Sequence, residues 1–220
     1  MVFHTGGIVF KFFRYRETSV IAKIFTARFG LQTYIINGVR SGKKGKGKMA
    51  LLQPLTLLDL VAYHRENTEI QRLAEMRCLH PYTTIPYDIR KSTMAIFLSE
   101  VLYKCVREEG PSEDLFSFLE QAMLVFDHME DHFQNFHLQF LIRLSRFLGF
   151  GMDSSEAFYL GLSDAEAAAI RQLLDEPFGS ELVLGRSLRQ SLLELTIDFY
   201  RQHVEGLGEI RSYDVLKEIF

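Results

Sequence analysis

Gly7-Ile-Val-Phe-Lys-Phe-Phe-Arg-Tyr15 and Val20-Ile-Ala-Lys-Ile-Phe-Thr26, separated by Arg16-Glu-Thr-Ser19, are the stretch on which the fold turns. Both runs are short and rich in β-branched and aromatic residues, and the segment between them is polar, so they read as two strands joined by a turn. Phe29-Gly30 breaks the second run, and Leu31-Gln-Thr-Tyr-Ile-Ile36 reads as a third strand. Asn37-Gly38 then opens a glycine–lysine run, Gly38-Val-Arg-Ser-Gly-Lys-Lys-Gly-Lys-Gly-Lys48, which reads as a flexible, strongly basic loop. Leu51 to Tyr63 is apolar, and Pro54 disfavours a helix through that point and suits an edge strand or a bulge. Glu69 to Leu79 fits a fifth strand, with a helix as the alternative.

Five short strands with one long basic connection predict a small barrel, with the OB-fold as the leading candidate. The pattern changes near His80-Pro81. From Asp88 onward apolar residues recur at helical spacing, first through Ile89, Ile96, Leu98, Val101, Leu102 and Val106 up to Gly110-Pro111. Further helices are expected after Ser112, over Phe136–Phe150 with Gly149 and Gly151 at its end, after the capping box Ser163-Asp-Ala-Glu166, over Leu182–Val204, and over Tyr213–Phe220. The expected architecture is α+β: an OB-fold nucleic-acid-binding domain over residues 1–80, then a helical bundle over 81–220.

Charge is divided along the same line. Residues 1–50 carry ten cations and one acid, Glu17, or +9; the whole chain of 220 residues is −3, so residues 51–220 carry −12. Such a division suits a chain that presents one face to a polyanion. The N-terminus lacks a cationic segment followed by an apolar one, so no signal peptide is expected. No apolar run approaches the roughly 18–20 residues that span a bilayer. Two cysteines, Cys78 and Cys105, are too few for a disulfide framework, and a cytoplasmic protein is expected.

Gly42-Lys-Lys-Gly-Lys-Gly-Lys48 matches most of a Walker A loop, which then demands Ser or Thr to bind Mg²⁺. Met49 stands there instead, and Pro54 follows, so nucleotide hydrolysis is not supported. Two readings stay open for the run: mobile lysines that follow a phosphate backbone, or a solvated loop with no ligand. The first gains from Lys11, Arg14, Arg16, Lys23, Arg28 and Arg40, which a barrel can gather with Lys43, Lys44, Lys46 and Lys48 on one side. Simple alternation puts Lys11, Phe13 and Tyr15 on one side of the first strand, with Ile8, Phe10 and Phe12 on the other. Cations beside aromatic rings suit single-stranded nucleic acid, and Tyr15, at the turn, is the favoured stacking residue. Phe13 and Phe25 read as core more readily than as stacking rings.

His128-Met-Glu-Asp-His132, with His137 nearby, resembles half of a zinc site but reads as solvated helix positions, and the cysteines cannot supply zinc knuckles. No nucleophile motif is visible, and no cofactor is implied. Arg143 and Arg146 sit among Phe140, Leu141, Leu144 and Phe147. There they could hold the carboxylates of an acidic, hydrophobic peptide, or snorkel from the core edge.

Taken together, Gly7–Ser19, Ile24-Phe-Thr-Ala-Arg-Phe-Gly-Leu31, Asn37-Gly-Val-Arg40 with its lysines, and Leu52-Gln-Pro-Leu-Thr-Leu-Leu58 resemble the RecO family of bacterial recombination mediators. The helical half is similar over Leu98-Ser-Glu-Val-Leu-Tyr103 and Phe136–Gly149. The resemblance implies an N-terminal OB-fold and a helical C-terminal domain. It implies a non-enzymatic, nucleoid-associated protein that binds single- and double-stranded DNA and anneals complementary strands. It further implies partnership with RecR and with the acidic tail of the single-stranded DNA-binding protein, to load RecA. Some relatives carry a four-cysteine zinc site; this chain lacks the cysteines, so no zinc finger is expected. An RNA-binding OB module of translation or RNA processing is the alternative, since the same electrostatics would serve it.

Overall fold

The computed structural model describes residues 1–39, 42–107 and 110–220, without the side chains at positions 42, 43, 44, 46, 154 and 157. Five strands, β1 (Val2–Tyr15), β2 (Ser19–Thr26), β3 (Gly30–Ile36), β4 (Leu57–Tyr63) and β5 (Ile70–Cys78), close into a barrel in the order β1-β2-β3-β5-β4. A helix, α1 (Gly42–Ala50), lies between β3 and β4. This is the OB-fold. Closure leaves no free sheet edge along most of the barrel.

β1 makes closure possible because it serves two neighbours. Residues 2–8 pair with β4 and residues 7–15 with β2. The change of partner coincides with a bulge between Val9 and Lys11. Val9 at the bulge donates to the Thr56 oxygen at 3.2 Å and accepts from the Leu55 N–H at 2.8 Å, so its backbone stays bonded where the ladder is interrupted. The bulge also corrects the simple alternation expected for this strand. Val9 and Phe12 face the barrel core with Val20, Ala22, Ile24, Tyr34 and Leu60. Ile8, opposite Phe25, shares the outer side with Lys11 and Phe13. One extra residue resets the parity of everything after it.

The glycine–lysine run is helical over α1, not the loop its composition suggests. Gly45 explains part of this. A Cβ there would stand 2.9 Å from the Gly38 oxygen and 3.0 Å from the Val39 oxygen, so the helix lies against its own lead-in as only glycine allows. Met49 and Leu51 pack on the barrel core, which ties down the C-terminal end of α1. Pro54 falls after the helix has ended.

Helices follow: α2 (Ile89–Cys105), α3 (Glu113–His128), α4 (Phe136–Phe147), α5 (Glu156–Leu160), α6 (Asp164–Asp175), α7 (Arg186–His203) and α8 (Tyr213–Ile219). The short α5 has no counterpart in the apolar periodicity. At α6 the expected capping box is present: Ser163 Oγ accepts from the Glu166 N–H at 3.3 Å, and the Glu166 carboxylate accepts from the Ser163 N–H at 2.9 Å. Gly149, at φ 84°, closes α4.

Two compact units divide the chain: Met1–Thr83 with Leu98–Glu120, and Thr84–Phe97 with Gln121–Phe220. The first therefore holds more than the barrel. Its helical part lies on the outer side of β1 and β2, where Ser99 Oγ donates to the Phe10 oxygen and the Phe116 ring stacks on Phe25 at 6.3 Å. Phe10 and Phe25, stacked at 5.7 Å, are buried by this cover. Phe25 is thus core, although it faces out of the barrel. In the second unit Phe126, Phe136 and Phe140 are buried, with Phe126 and Phe136 stacked at 4.3 Å.

Candidate nucleic-acid interface

The strand register carries outward-facing positions across the barrel in rows. One row runs Lys11–Lys23–Thr33–Ile70, and the next runs Phe13–Ile21–Ile35–Arg72–Tyr63. Adjacent rows are two residues apart along each strand, or about 7 Å. Cations and rings therefore share one surface, which neither strand could provide alone.

Lys11 and Lys23 stand directly opposite each other. Like charges at such positions, with Cβ atoms about 5 Å apart, are destabilising unless something offsets them. Part of the offset is internal: the Lys11 ammonium lies 4.7 Å from the Tyr103 ring and 5.3 Å from the Phe13 ring. Phe13 stays 40% exposed and meets Tyr103 edge-on at 6.0 Å.

The other sequence-predicted residues spread over both ends of the barrel. At the end holding the β1–β2 turn, the Arg16 guanidinium lies 5.2 Å from the Tyr15 ring, with Arg16 in the left-handed region at φ 54°. Arg14, opposite Val20, takes the inward side at the barrel mouth and is exposed. Lys48, on α1, donates to the Asn37 oxygen at 3.5 Å, and Ser19 Oγ donates to Asn37 Oδ1 at 2.8 Å. Arg28 is elsewhere. It sits in the β2–β3 turn, about 26 Å away by the rise of eight strand residues. Its guanidinium covers Phe3 at 4.4 Å and Phe29 at 5.7 Å, beside the stacked Phe29–His64 pair at 4.1 Å. Arg40 lies outside the described residues, as do the side chains of Lys43, Lys44 and Lys46.

In the helical unit the two arginines have different partners. Arg143 donates to the Leu174 oxygen at 3.3 Å, the Leu173 oxygen at 3.4 Å and the Glu176 oxygen, and covers the Phe178 ring at 4.6 Å. It caps the C-terminus of α6, and burial there lowers its pKa. Arg146 pairs with Asp153 at 3.0 Å. The three histidines do not gather. His128 and His132 are exposed, whereas His137 is fully buried, 6.4 Å from the Phe97 ring and 5.9 Å from the Phe220 ring. Among the described residues no group of three metal-ligating side chains occurs, and no helix is long and apolar enough to cross a membrane.

Arg72 and Tyr63 carry no signal in the sequence that marks them as interface residues. Their strands are readable, but nothing in Glu69–Leu79 tells which parity faces outward. The only local hint was that Arg72 alternates with Gln71 and Leu73, both of which turn inward.

Comparison with known proteins agrees with the architecture. Residues 1–82 match the family described as Recombination protein O N terminal, and residues 86–158 match Recombination protein O C terminal. Proteins named DNA repair protein RecO are similar over the whole of both chains: that of Flavobacterium johnsoniae at 37% identity, that of Bacteroides fragilis at 35%, and that of Porphyromonas gingivalis at 24%. With an OB-fold barrel leading into helices, both domain matches in order and full-length similarity, the chain belongs to the RecO family of DNA repair proteins.

Proposed function

We propose that this chain is a non-enzymatic recombination mediator. It binds single- and double-stranded DNA on the outer face of the barrel and anneals complementary strands. With RecR and the single-stranded DNA-binding protein, it helps load RecA onto coated DNA. The observation that supports this best is the Lys11–Lys23 opposition, with Phe13 and Tyr15 on the same face. Two lysines opposite each other in register concentrate positive charge where a polyanion can meet it, and the neighbouring rings offer π-faces to unpaired bases. Neutralising two strands on one basic face lowers their mutual repulsion, so annealing needs no nucleotide.

Binding of a labelled single-stranded oligonucleotide across a salt series tests the reading. With about five phosphate contacts, log K against log salt slopes near −3.5, taking about 0.7 per contact. Removing Lys11 and Lys23 together flattens the slope by about 1.4. A parent slope near zero, or annealing without ATP no faster than the spontaneous rate, defeats it. An RNA competitor that displaces DNA at equal length would favour the RNA-binding alternative, since contacts to the 2′-OH are what separate the two.

A further inference from the structure

β3 and β5 are the parallel pair that closes the barrel, and they pair at only three positions, Thr33–Ile70, Tyr34–Gln71 and Ile35–Arg72. Beyond Arg72 the two separate. β3 ends at Ile36, while β5 continues along β4 to Cys78, with a bulge opposite Val61 and Ala62. The opened seam leaves a hollow of about 380 Å³, lined by Ile35, Asn37, Lys48, Arg72, Met76 and Arg77 among others. A second hollow, of about 480 Å³, lies on the other side of Arg72 and is lined by Tyr63, Arg65, Thr68 and Ile70 with it. Arg72 lines both, so the two hollows adjoin at its side chain and together follow β5. Along β5 the lining runs from Ile70 to Arg77, seven rises or about 23 Å.

The charges along these hollows are unequal. Arg72 is exposed, and its side chain makes no hydrogen bond or ion pair among the described residues. Arg65 is exposed at one end, and Lys48 stands at the other with only a 3.5 Å bond to the Asn37 oxygen. Arg77 is different: Glu75 holds it at 2.7 Å, and Asp59 lies opposite it in register. The walls mix polar groups with exposed apolar and aromatic ones, of which Ile70 is 42% and Tyr63 46% exposed. Spaced exposed cations beside an exposed ring suit one flexible polyanion strand: phosphates meet the guanidinium and ammonium groups, and a base stacks on the tyrosine.

We propose that the β3–β5 seam is a track for single-stranded nucleic acid, with Arg72 as its central phosphate contact, Lys48 and Arg65 flanking it, and Tyr63 stacking a base. This rests on the DNA-binding reading above and gives the strand a path past the Lys11–Lys23 row. Glu75 acts as a brake, because it occupies the one arginine of the hollows that would otherwise add a fourth contact.

Fluorescence anisotropy with labelled oligothymidine over a salt series tests the track on the full chain. The Arg72→Ala, Lys48→Ala double variant is expected to bind more weakly, with the slope flattened by about 1.4. Tyr63→Ala weakens binding at least about fivefold at unchanged slope, since stacking releases no counterions. Glu75→Gln frees Arg77 and is expected to tighten binding and steepen the slope by about 0.7. That gain cannot come from a damaged fold. Parent affinity and slope retained in the double variant overturn the track while leaving DNA binding by the barrel intact. The track is equally overturned if the double variant loses binding of a polyglutamate peptide but keeps that of oligothymidine. A parent chain that binds no oligothymidine at low salt defeats the DNA-binding reading and the track with it.

Discussion

The ammonium of Lys91 donates to the main-chain oxygen of Asp127 at 3.1 Å, while the Asp127 carboxylate accepts from the backbone N–H groups of Thr84 and Ile85, each at 2.9 Å. Lys91 is only 2% exposed, and it also donates to the Phe126 oxygen at 3.0 Å and to Thr84 Oγ1 at 2.6 Å. The pair finishes the C-terminus of α3 and fixes the start of the helical unit. Burial lowers the pKa of Lys91, and the charges of Asp127 and Asp88 raise it again. Lys91→Met keeps the volume but orphans the acceptors, and should cost about 2–4 kcal/mol in urea denaturation. A loss under about 0.5 kcal/mol would show that the network contributes nothing net.

The two glycines of α1 should respond in opposite directions. At Gly45 a methyl group meets backbone oxygens at 2.9 and 3.0 Å that cannot rotate away. Gly45→Ala should therefore destabilise the barrel unit by about 1–3 kcal/mol. At Gly47 nothing lies within 4 Å, so Gly47→Ala should stabilise by roughly 0.5–1 kcal/mol through helix propensity alone. Chemical denaturation of the two variants side by side decides this. Equal effects would mean that residues 42–50 are not helical in solution.

His137 sets an acid limb for the helical unit. Burial, with the charge of Arg189 second, holds its pKa down to about 3, against a smaller upward pull from the Gln134 backbone. Between about pH 6.5 and 3 the unfolded chain binds a proton there and the folded chain does not, so stability falls as pH drops, by up to about 1.4 kcal/mol per unit. Above about pH 6.5 the effect is absent. His137→Leu removes this limb, and its stability relative to the parent should rise by about 2 kcal/mol from pH 8 to pH 5. A pH-independent difference would place the proton elsewhere.

Tyr34 carries a hydroxyl into the barrel core with no partner among the described residues, and burial raises its pKa. Tyr34→Phe deletes an unsatisfied polar group at constant shape. Thermal unfolding should show no loss, and a gain of up to about 1–3 kcal/mol. A clear loss of stability would reveal a hydrogen bond, for instance to trapped water, that the hydroxyl makes in solution.

Much of the fold was legible along the chain because it is written in local periods. β-branched and aromatic runs marked the strands, Ser163 with Glu166 marked the start of α6, and Gly149 marked the end of α4. The glycine–lysine run misled because composition describes flexibility in isolation, whereas Gly45 serves close packing against Gly38 and Val39. The candidate interface was half legible. Lys11, Lys23 and Tyr15 could be named from charge and spacing, but Arg28 was grouped with residues at the far end of the barrel. Arg143, read as a groove cation or a snorkelling one, turns to the α6 carbonyls.

By itself the sequence determined most of the elements and their order, the basic character of the first fifty residues and the family pattern, but not α1 or α5. Each of these depends on neighbours a few positions away. Only the tertiary structure decided which cations share a surface, because that depends on register. A single bulge after Val9 sets the parity of β1, three pairings bring Arg72 beside Ile35, and the parting of β3 from β5 opens a hollow beside β5. Side-chain direction in a sheet is governed by the partner strand, and no stretch of one strand carries that information.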